Sequence, residues 1–182
     1  MDKGREHDVT RHSIEDWFHE YERDVTSFLI YYTGTMDVED LVQDTFMIAL
    51  KKLSTFKGDA HPKTWLISIA RNQVLDTYRR RQRWSRLAQL LGAEQRGMDE
   101  VEGQLIRSQA TEELYRAIRR LSPKPRELVI LRGILELSSK EAATILNSTD
   151  NAVNVMYHRA LKKLKQVLEE EETANGRDKG IT

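Results

Sequence analysis

The sequence predicts an all-α fold, and three observations support this prediction. Charged residues make up 32% of the 182 residues and aromatic residues 7%, while only nine glycines and three prolines interrupt the chain, a composition typical of helical soluble proteins. Apolar residues recur every three or four positions over long stretches, which is the period of a half-buried helix. No segment shows the alternation of apolar and polar residues that predicts a strand.

Helix start and stop signals divide the N-terminal half into three helices. Each predicted helix begins at a residue whose side chain can accept a hydrogen bond from the first turn; these caps are Ser13, Asp37 and Thr64. Gly34 is expected to end the first helix, and a loop over residues 56–63, which contains Gly58 and Pro62, separates the second from the third. The third helix is long and reaches the arginines of residues 79–83.

The C-terminal half contains shorter helices with clear caps. Ser122 followed by Pro123 marks one helix start, because proline suits the first helical position. Residues 138–141 read Ser-Ser-Lys-Glu and form a capping box that opens another helix. Asn147 suits the left-handed turn that must follow, and a last helix begins near Asp150.

These elements group into two small domains. Residues 92–103 contain three glycines and four acids and are predicted to be a flexible linker. One domain is expected at residues 1–91 and the other at residues 104–168. Residues 169–182 are expected to be a disordered tail.

The charges are segregated along the chain although the net charge is zero. Residues 1–60 carry thirteen Asp or Glu against seven Lys or Arg, whereas residues 61–90 carry seven Lys or Arg against one Asp. Residues 121–168 are basic again. A protein that binds duplex DNA by itself usually has an overall basic face. The alternation therefore indicates nucleic-acid contacts that are supported by a protein partner.

Several other classes of protein find no support in the sequence. No apolar run approaches the roughly 20 residues that span a membrane, and the polar N-terminus is unlike a signal peptide. There is no cysteine, which fits a reducing cytoplasm. No clustered glycines form a phosphate loop, and Asp16 with His19 gives only half of a di-iron motif. We expect neither an enzyme nor a metal or cofactor site.

The second helix has an acidic outer face. Its predicted core face is Val38, Leu41, Val42, Thr45, Phe46, Ala49, Leu50 and Leu53. The opposite face presents Glu39, Asp40, Gln43, Asp44 and Met47, with no cation before Lys51. A charged helix face is usually only solvated. A contiguous acidic stripe beside a complete core face instead indicates contact with a basic protein surface.

The basic block that follows mixes cations with planar side chains. Trp65, Tyr78 and Trp84 are interleaved with the lysine and arginines of residues 63–83. Proteins hold single-stranded DNA with such mixtures, because cations bind phosphates and aromatic rings stack on exposed bases. The position of Trp65 also suits a helix core, and we expect it to pack there.

Residues 139–158 have the length and turn of a helix-turn-helix motif, whose second helix lies in the major groove. The residues expected on the DNA-facing side are Thr149, Asn151, Asn154, His158, Arg159 and Lys162. The amide of Asn154 suits adenine.

Together these segments resemble the bacterial sigma-70 family of RNA polymerase sigma factors, in particular the small extracytoplasmic-function (ECF, group 4) type. The resemblance covers residues 14–168 and depends on residues 37–46 with 64–72 and on residues 121–132 with 158–161. It implies a region 2 helical bundle and a region 4 helix-turn-helix joined by a flexible linker. The implied function is promoter recognition and transcription initiation, in the cytoplasm, for a stress or envelope-response regulon.

The resemblance also implies partners and site residues. Core RNA polymerase would bind Glu39, Asp40, Gln43, Asp44 and Met47. The −10 single strand would be recognised and melted by Lys57, Asp59, Ala60, His61, Lys63, Arg71, Asn72, Arg79, Arg80 and Arg83. The −35 duplex would be read by the six helix-turn-helix residues named above. An anti-sigma factor is implied as a further partner, without cofactor, metal or membrane insertion.

One departure and one alternative qualify this interpretation. The family often carries Lys and Arg midway along the recognition helix, where this chain has Asn154 and Met156, so its −35 sequence is expected to differ. The alternative is a stand-alone helix-turn-helix regulator, which should bind duplex DNA without polymerase.

Overall fold

Within residues 3–90 and 109–178, the parts of the chain that the computed structural model describes, every regular element is a helix, and side chains are described for residues 14–87 and 112–170. The elements are α1 Lys3–Thr33, α2 Glu39–Lys52, a 3₁₀ turn Leu53–Thr55, α3 Pro62–Leu90, α4 Gln109–Arg120, α5 Pro123–Val129, a π-helical segment Ile130–Ile134, α6 Ser139–Leu146 and α7 Asp150–Asp178. The predicted all-α class is confirmed. The predicted linker lies outside the described residues.

The first helix is longer than predicted at its N-terminus. α1 begins at Lys3, so Ser13 lies inside the helix and the prediction that it caps α1 was wrong. Residues 5–12 contain neither glycine nor proline, so nothing in their sequence stops the helix. The predicted stop is confirmed, because α1 ends at Thr33 and Gly34 follows with φ of +84°.

Packing rather than capping sets the start of α2. Val38 occupies the N-cap position without a side-chain cap, so the predicted cap at Asp37 was wrong. Val38 is buried against the core, and this burial fixes the entry of the chain into α2. Most of the predicted core face is buried or partly buried, but Leu50 was misplaced, because it is exposed near the helix end.

α3 starts three residues earlier than a cap at Thr64 predicts. Pro62 is its first residue, where the fixed φ of proline favours a helical turn. Thr64 therefore does not cap the helix; it is buried, and its hydroxyl donates to Glu141 Oε1 of α6 at 3.3 Å. Helices α1, α2 and α3 pack on one another, and we call them the N-terminal bundle.

The C-terminal bundle, α4 to α7, follows the predicted signals with one addition. Ser122 and Pro123 take the predicted N-cap and first positions of α5, although the Ser122 hydroxyl makes no capping hydrogen bond. The addition is the π-helical segment, which the sequence did not predict. In it the Leu135 N–H donates to Ile130 O at 2.9 Å, and the wider turn keeps Ile130 and Leu131 buried together.

The helix-turn-helix follows its sequence signals closely. The capping box of Ser138 with Glu141 opens α6, and Asn147 adopts the left-handed conformation with φ of 50°. α7 begins at Asp150 and continues to Asp178. The helix therefore includes residues 169–178 of the segment that was predicted to be a disordered tail, and the glutamates that follow Leu168 are good helix formers.

The two bundles share an apolar core and are also joined by polar contacts. Their buried residues form one cluster, with α1 against α4 and the π-helical segment, and α3 against α6. Arg119 Nη1 donates to Gly34 O at 3.0 Å. A Cβ at position 34 would lie 2.6 Å from Arg119 Cζ and would displace this flexible side chain, and the φ of +84° itself favours glycine.

Candidate protein and nucleic-acid interfaces

The acidic stripe lies on the exposed face of α2, as its helical spacing requires. Its five members, Glu39, Asp40, Gln43, Asp44 and Met47, are all exposed, and Met47 is 52% exposed. The opposite face of α2 is buried, and the Thr45 hydroxyl donates to Gln73 Oε1 of α3 at 2.6 Å. The helix is thus fixed from behind. Its acidic stripe is open to a basic protein surface.

The C-terminal half of α3 presents a basic face to solvent. Arg79, Arg80 and Arg83 are exposed, and Arg79 pairs with Asp76 one turn away at 3.1 Å. Trp84 is 70% exposed and lines a shallow groove with Arg80, Arg83 and Leu87. An exposed tryptophan among arginines can stack on a base while its neighbours bind phosphates. This combination matches the chemistry that the sequence predicted for single-stranded DNA.

The loop before α3 is more firmly held than its sequence suggested. Lys57 and Asp59 are exposed and Ala60 is half-buried. The exposed His61 packs its ring edge-on against Tyr21, with 5.7 Å between the ring centroids. Lys63 is half-buried. Its ammonium lies 2.8 Å from Asp24 Oδ1 and donates to Leu135 O at 3.2 Å.

Trp65 belongs to an aromatic cluster, which confirms the expectation that it packs in the core. Its ring lies 6.0 Å from Trp17 and 4.8 Å from Phe56. Trp17 and Phe56 also meet edge-on at 5.2 Å. The cluster fixes the end of the loop against α1. Trp65 therefore supports the loop before α3.

Arg71 is not on a free surface in this arrangement. Its Nε donates to Glu127 Oε1 of α5, and its Nη2 donates to Oε2 at 3.4 Å. Burial by itself would lower the pKa of Arg71, but the hydrogen bond and attraction to Glu127 raise it overall. Glu127 is itself buried. The guanidinium is therefore occupied by this carboxylate.

Tyr32 lies beside this ion pair. Burial raises the pKa of the Tyr32 hydroxyl, and the negative charge of Glu127 raises it further. The tyrosine therefore stays neutral and adds no charge to the contact between the bundles.

Glu141 is the second acid that joins the bundles. Hydrogen bonding by the Ser138 side chain lowers the pKa of the Glu141 carboxyl, and contacts with Thr64 and His61 act in the same direction against burial. The same carboxylate therefore caps α6 and holds α3.

The outward face of α7 is open. The residues predicted to face the major groove, namely Thr149, Asn151, Asn154, His158, Arg159 and Lys162, are all exposed. Val153 and Ala160 on the other side of the helix are buried. The capping of α6 and the turn at Asn147 set the angle between α6 and α7, so this polar face is exposed in a fixed position.

Two site residues escaped prediction. Glu127 follows Arg126 in a helix with an apolar face, and only its isolation among buried neighbours could have marked it as the partner of a distant cation. Ser139 donates its hydroxyl to Asn154 Oδ1 at 2.6 Å. Nothing in the sequence indicates a contact across fifteen residues.

In the part of the chain that the structure describes, we find no helix with the length and hydropathy to cross a membrane. The same residues contain no group of three His, Asp or Glu side chains arranged to hold a metal ion.

An acidic stripe on one helix, a basic and aromatic helix end, and an exposed helix-turn-helix are the features expected of a protein that binds DNA at two places and a protein at a third. Comparison with known families agrees with this class. The sigma-70 region 2 family matches residues 17–84, and the sigma-70 region 4 family matches residues 111–164.

Individual relatives make the family specific. The RNA polymerase sigma factor YlaC of Bacillus subtilis is 33% identical over 86% of this chain and 92% of its own length. The ECF RNA polymerase sigma factor SigX of the same species is 30% identical over 82% of this chain and 80% of its own length. The chain therefore belongs to the sigma-70 family, as an ECF sigma factor. It directs promoter-specific initiation of transcription by RNA polymerase.

A solved structure supports the fold as well as the family. The sigma factor RpoE of Bartonella quintana, in complex with the anti-sigma factor NepR, matches with a TM-score of 0.72 and 26% identity. The match covers 86% of this chain and 97% of RpoE. The arrangement of both bundles in this chain is thus similar to one that is seen in a solved relative.

Proposed function

We propose that the exposed acidic stripe of α2 binds core RNA polymerase before the chain engages the −10 DNA. The observation that carries this proposal is the contrast in exposure between Asp40 and Asp44, which are open, and Arg71, which is held by Glu127. A stripe of this charge fits a basic surface of the polymerase. The chain contributes recognition, and the chemistry of RNA synthesis belongs to the core enzyme.

Promoter contacts would then follow in two steps. The outward face of α7 reads the −35 duplex without rearrangement, because its polar residues are already exposed. The −10 strand requires Arg71 and Lys63, and both have partners across or beside the contact between the bundles. Separation of the bundles would release these cations for phosphates, while Trp84 and its neighbouring arginines extend the single-strand path.

An anti-sigma factor would act on the packed form. RpoE has a similar arrangement and was solved with an anti-sigma factor. A partner that binds the packed form of this chain and not the separated form would hold Arg71 on Glu127 and so oppose melting. We infer on the same basis that the chain acts in the cytoplasm, where it meets polymerase, and serves a stress or envelope-response regulon.

The test is reconstitution. The purified chain and core polymerase should together give transcripts with discrete 5′ ends from a genomic template, and neither component should do so alone. The alternative candidate from the sequence is a stand-alone regulator, which the sigma-factor relatives do not favour. That candidate predicts tight, sequence-specific binding of duplex DNA without polymerase and unchanged 5′ ends when the chain is added. This outcome would contradict the proposal.

A further inference from the structure

The amide of Asn154 is held by a contact from the neighbouring helix. Ser139 Oγ and Asn154 Oδ1 lie 2.6 Å apart. An amide oxygen carries no hydrogen, so the serine hydroxyl must be the donor. The carbonyl side of the Asn154 amide therefore faces α6. Its Nδ2 amino group makes no hydrogen bond within the described part of the chain, and the residue is exposed.

Ser139 is itself rigidly placed. It is the first residue of α6, directly after Ser138, whose hydroxyl accepts from the Glu141 N–H at 3.2 Å while the Ser138 N–H donates to Glu141 Oε2 at 2.8 Å. Glu141 also accepts from Thr64 of α3. The donor that orients Asn154 thus belongs to a helix start that is fixed from two sides.

The orientation of an asparagine amide determines which base edge it can read. In the major groove adenine offers the N7 acceptor beside the N6 donor, and an amide pairs with both. With Oδ1 fixed, its second lone pair can accept from N6 while Nδ2 donates to N7. Guanine has O6 in place of the N6 amino group, so two acceptors would face each other. An amide that can turn over would instead offer Nδ2 to guanine O6 or thymine O4.

We propose that Ser139 is a positioning residue that restricts Asn154 to adenine in the −35 element. This inference rests on the proposed role of α7 as the −35 reader and adds the base preference and the residue that enforces it. Ser139 does not touch DNA in this scheme. It acts through the Asn154 amide.

The experiment selects a randomised −35 library with holoenzyme that contains wild-type protein, Ser139→Ala, Ser139→Thr or Asn154→Ala. Wild-type holoenzyme should prefer adenine at one position. Ser139→Ala should reduce that preference over guanine and thymine by about fivefold, which corresponds to the roughly 1 kcal/mol of one hydrogen bond. Ser139→Thr keeps the hydroxyl and should therefore show the same preference for adenine as wild type. Asn154→Ala should abolish it at the same position.

A second measurement is independent of DNA. The side-chain amide resonances of Asn154 in a ¹⁵N NMR spectrum should shift in Ser139→Ala and stay near wild type in Ser139→Thr. The thermal unfolding of Ser139→Ala should match wild type, because the Ser138 cap is intact. These controls separate loss of amide orientation from loss of fold.

The outcomes distinguish the positioning role of Ser139 from the proposed role of α7 as the −35 reader. If Asn154→Ala changes the selected base and Ser139→Ala does not, Asn154 reads DNA without Ser139 and the positioning role is wrong. If wild-type holoenzyme prefers guanine or thymine where Asn154→Ala has its effect, the adenine assignment is wrong. If wild-type holoenzyme selects no −35 sequence at all, the proposed function itself fails.

Discussion

The two surfaces that we propose face DNA differ in how much of each is exposed in this sigma factor. The outward side of α7 is exposed along its whole predicted reading face. The N-terminal half of α3 is instead covered by the C-terminal bundle, with Arg71 on Glu127 and Thr64 on Glu141. In the proposed function, the first surface needs no uncovering before it meets duplex DNA, whereas the second does. The proposal therefore links −10 melting to a change in the packing of the two bundles.

The contact between the bundles combines the shared apolar core with several polar pairs, and the polar pairs favour its reversal. Separation of an ion pair returns both groups to water, so the solvation that each regains offsets the attraction lost. Interfaces between domains of one chain are generally more polar than cores and permit relative motion. Arg71 with Glu127, and Lys63 with the Leu135 carbonyl, give the contact this character.

The largest effect is expected from removal of the Glu127 charge, which should expose the covered half of α3. Glu127→Gln leaves the half-buried Arg71 guanidinium without its counter-charge, which should shift the bundles toward separation by about 2 kcal/mol, or roughly thirtyfold. The chain has no cysteine, so the double variant Thr77→Cys with Gln166→Cys can carry a pair of dyes for energy transfer. Transfer should change in Glu127→Gln, and binding of a −10 oligonucleotide should tighten.

The matched control for this prediction is Glu112→Gln. Glu112 pairs with Arg116 on the exposed surface of α4, one turn apart within the same helix. Its loss removes the same charge without touching the contact between the bundles. Equal energy transfer in wild type and Glu127→Gln would mean that this ion pair does not hold the bundles together.

The acidic stripe of α2 can be tested separately from both surfaces that we propose bind DNA. Asp40→Arg with Asp44→Arg should weaken binding to core polymerase by at least about tenfold, or roughly 1.4 kcal/mol, since like charges would then face each other. Helicity should be unchanged because both residues are exposed. Asp16→Arg with Glu22→Arg makes the same charge change on exposed positions of α1. If both double variants co-purify with core polymerase as well as wild type does, α2 is not part of the surface that binds the polymerase.

The exposed end of α3 should have a smaller and salt-dependent effect. Arg80→Ala with Arg83→Ala removes two cations from the groove beside Trp84. Binding of the −10 single strand should weaken roughly fivefold at moderate salt, and the slope of log affinity against log salt should fall by about 1.4. Lys162→Ala on α7 should leave this slope unchanged. An unaltered slope in the arginine double variant would exclude phosphate contacts at this helix end.

The comparison also shows which features the sequence could predict. The sequence predicted correctly those features that depend on residues within one or two helical turns. They are the capping box at Ser138, the left-handed conformation of Asn147 and the exposed face of α2. Contacts between distant segments were not predictable. Arg71 meets Glu127 across 56 residues, and no periodicity or cap encodes that pairing.

Errors at helix starts have the same origin. Asp37 has the chemistry of a cap, but burial of Val38 decides where α2 begins. Thr64 was expected to cap α3 and instead turns its hydroxyl toward α6. In both cases tertiary packing overrides a local preference worth about 1 kcal/mol.

The smallest expected effect is on the pH dependence of stability, and it concerns Glu141 in the contact that covers α3. The folded protein lowers the pKa of Glu141 below its ordinary value of 4.5, first because Ser138 hydrogen-bonds the carboxylate. A depressed folded pKa means that the unfolded chain binds the proton more readily, so this stabilisation is present above about pH 4.5 and is lost as the pH falls through the folded pKa. Glu141→Gln should therefore be less stable than wild type by about 1 kcal/mol at pH 7. The difference in the free energy of unfolding should shrink at pH values below 4.5, as measured by denaturant titration across that range. A stability difference that stays constant down to the lowest pH would mean that the charge of the Glu141 carboxylate does not stabilise the fold.

Glu141 also accepts a hydrogen bond from Thr64 of α3. Energy transfer between the labelled bundles should therefore change more at pH 7 in Glu141→Gln than in Glu136→Gln, whose exposed carboxylate lies in the turn before α6.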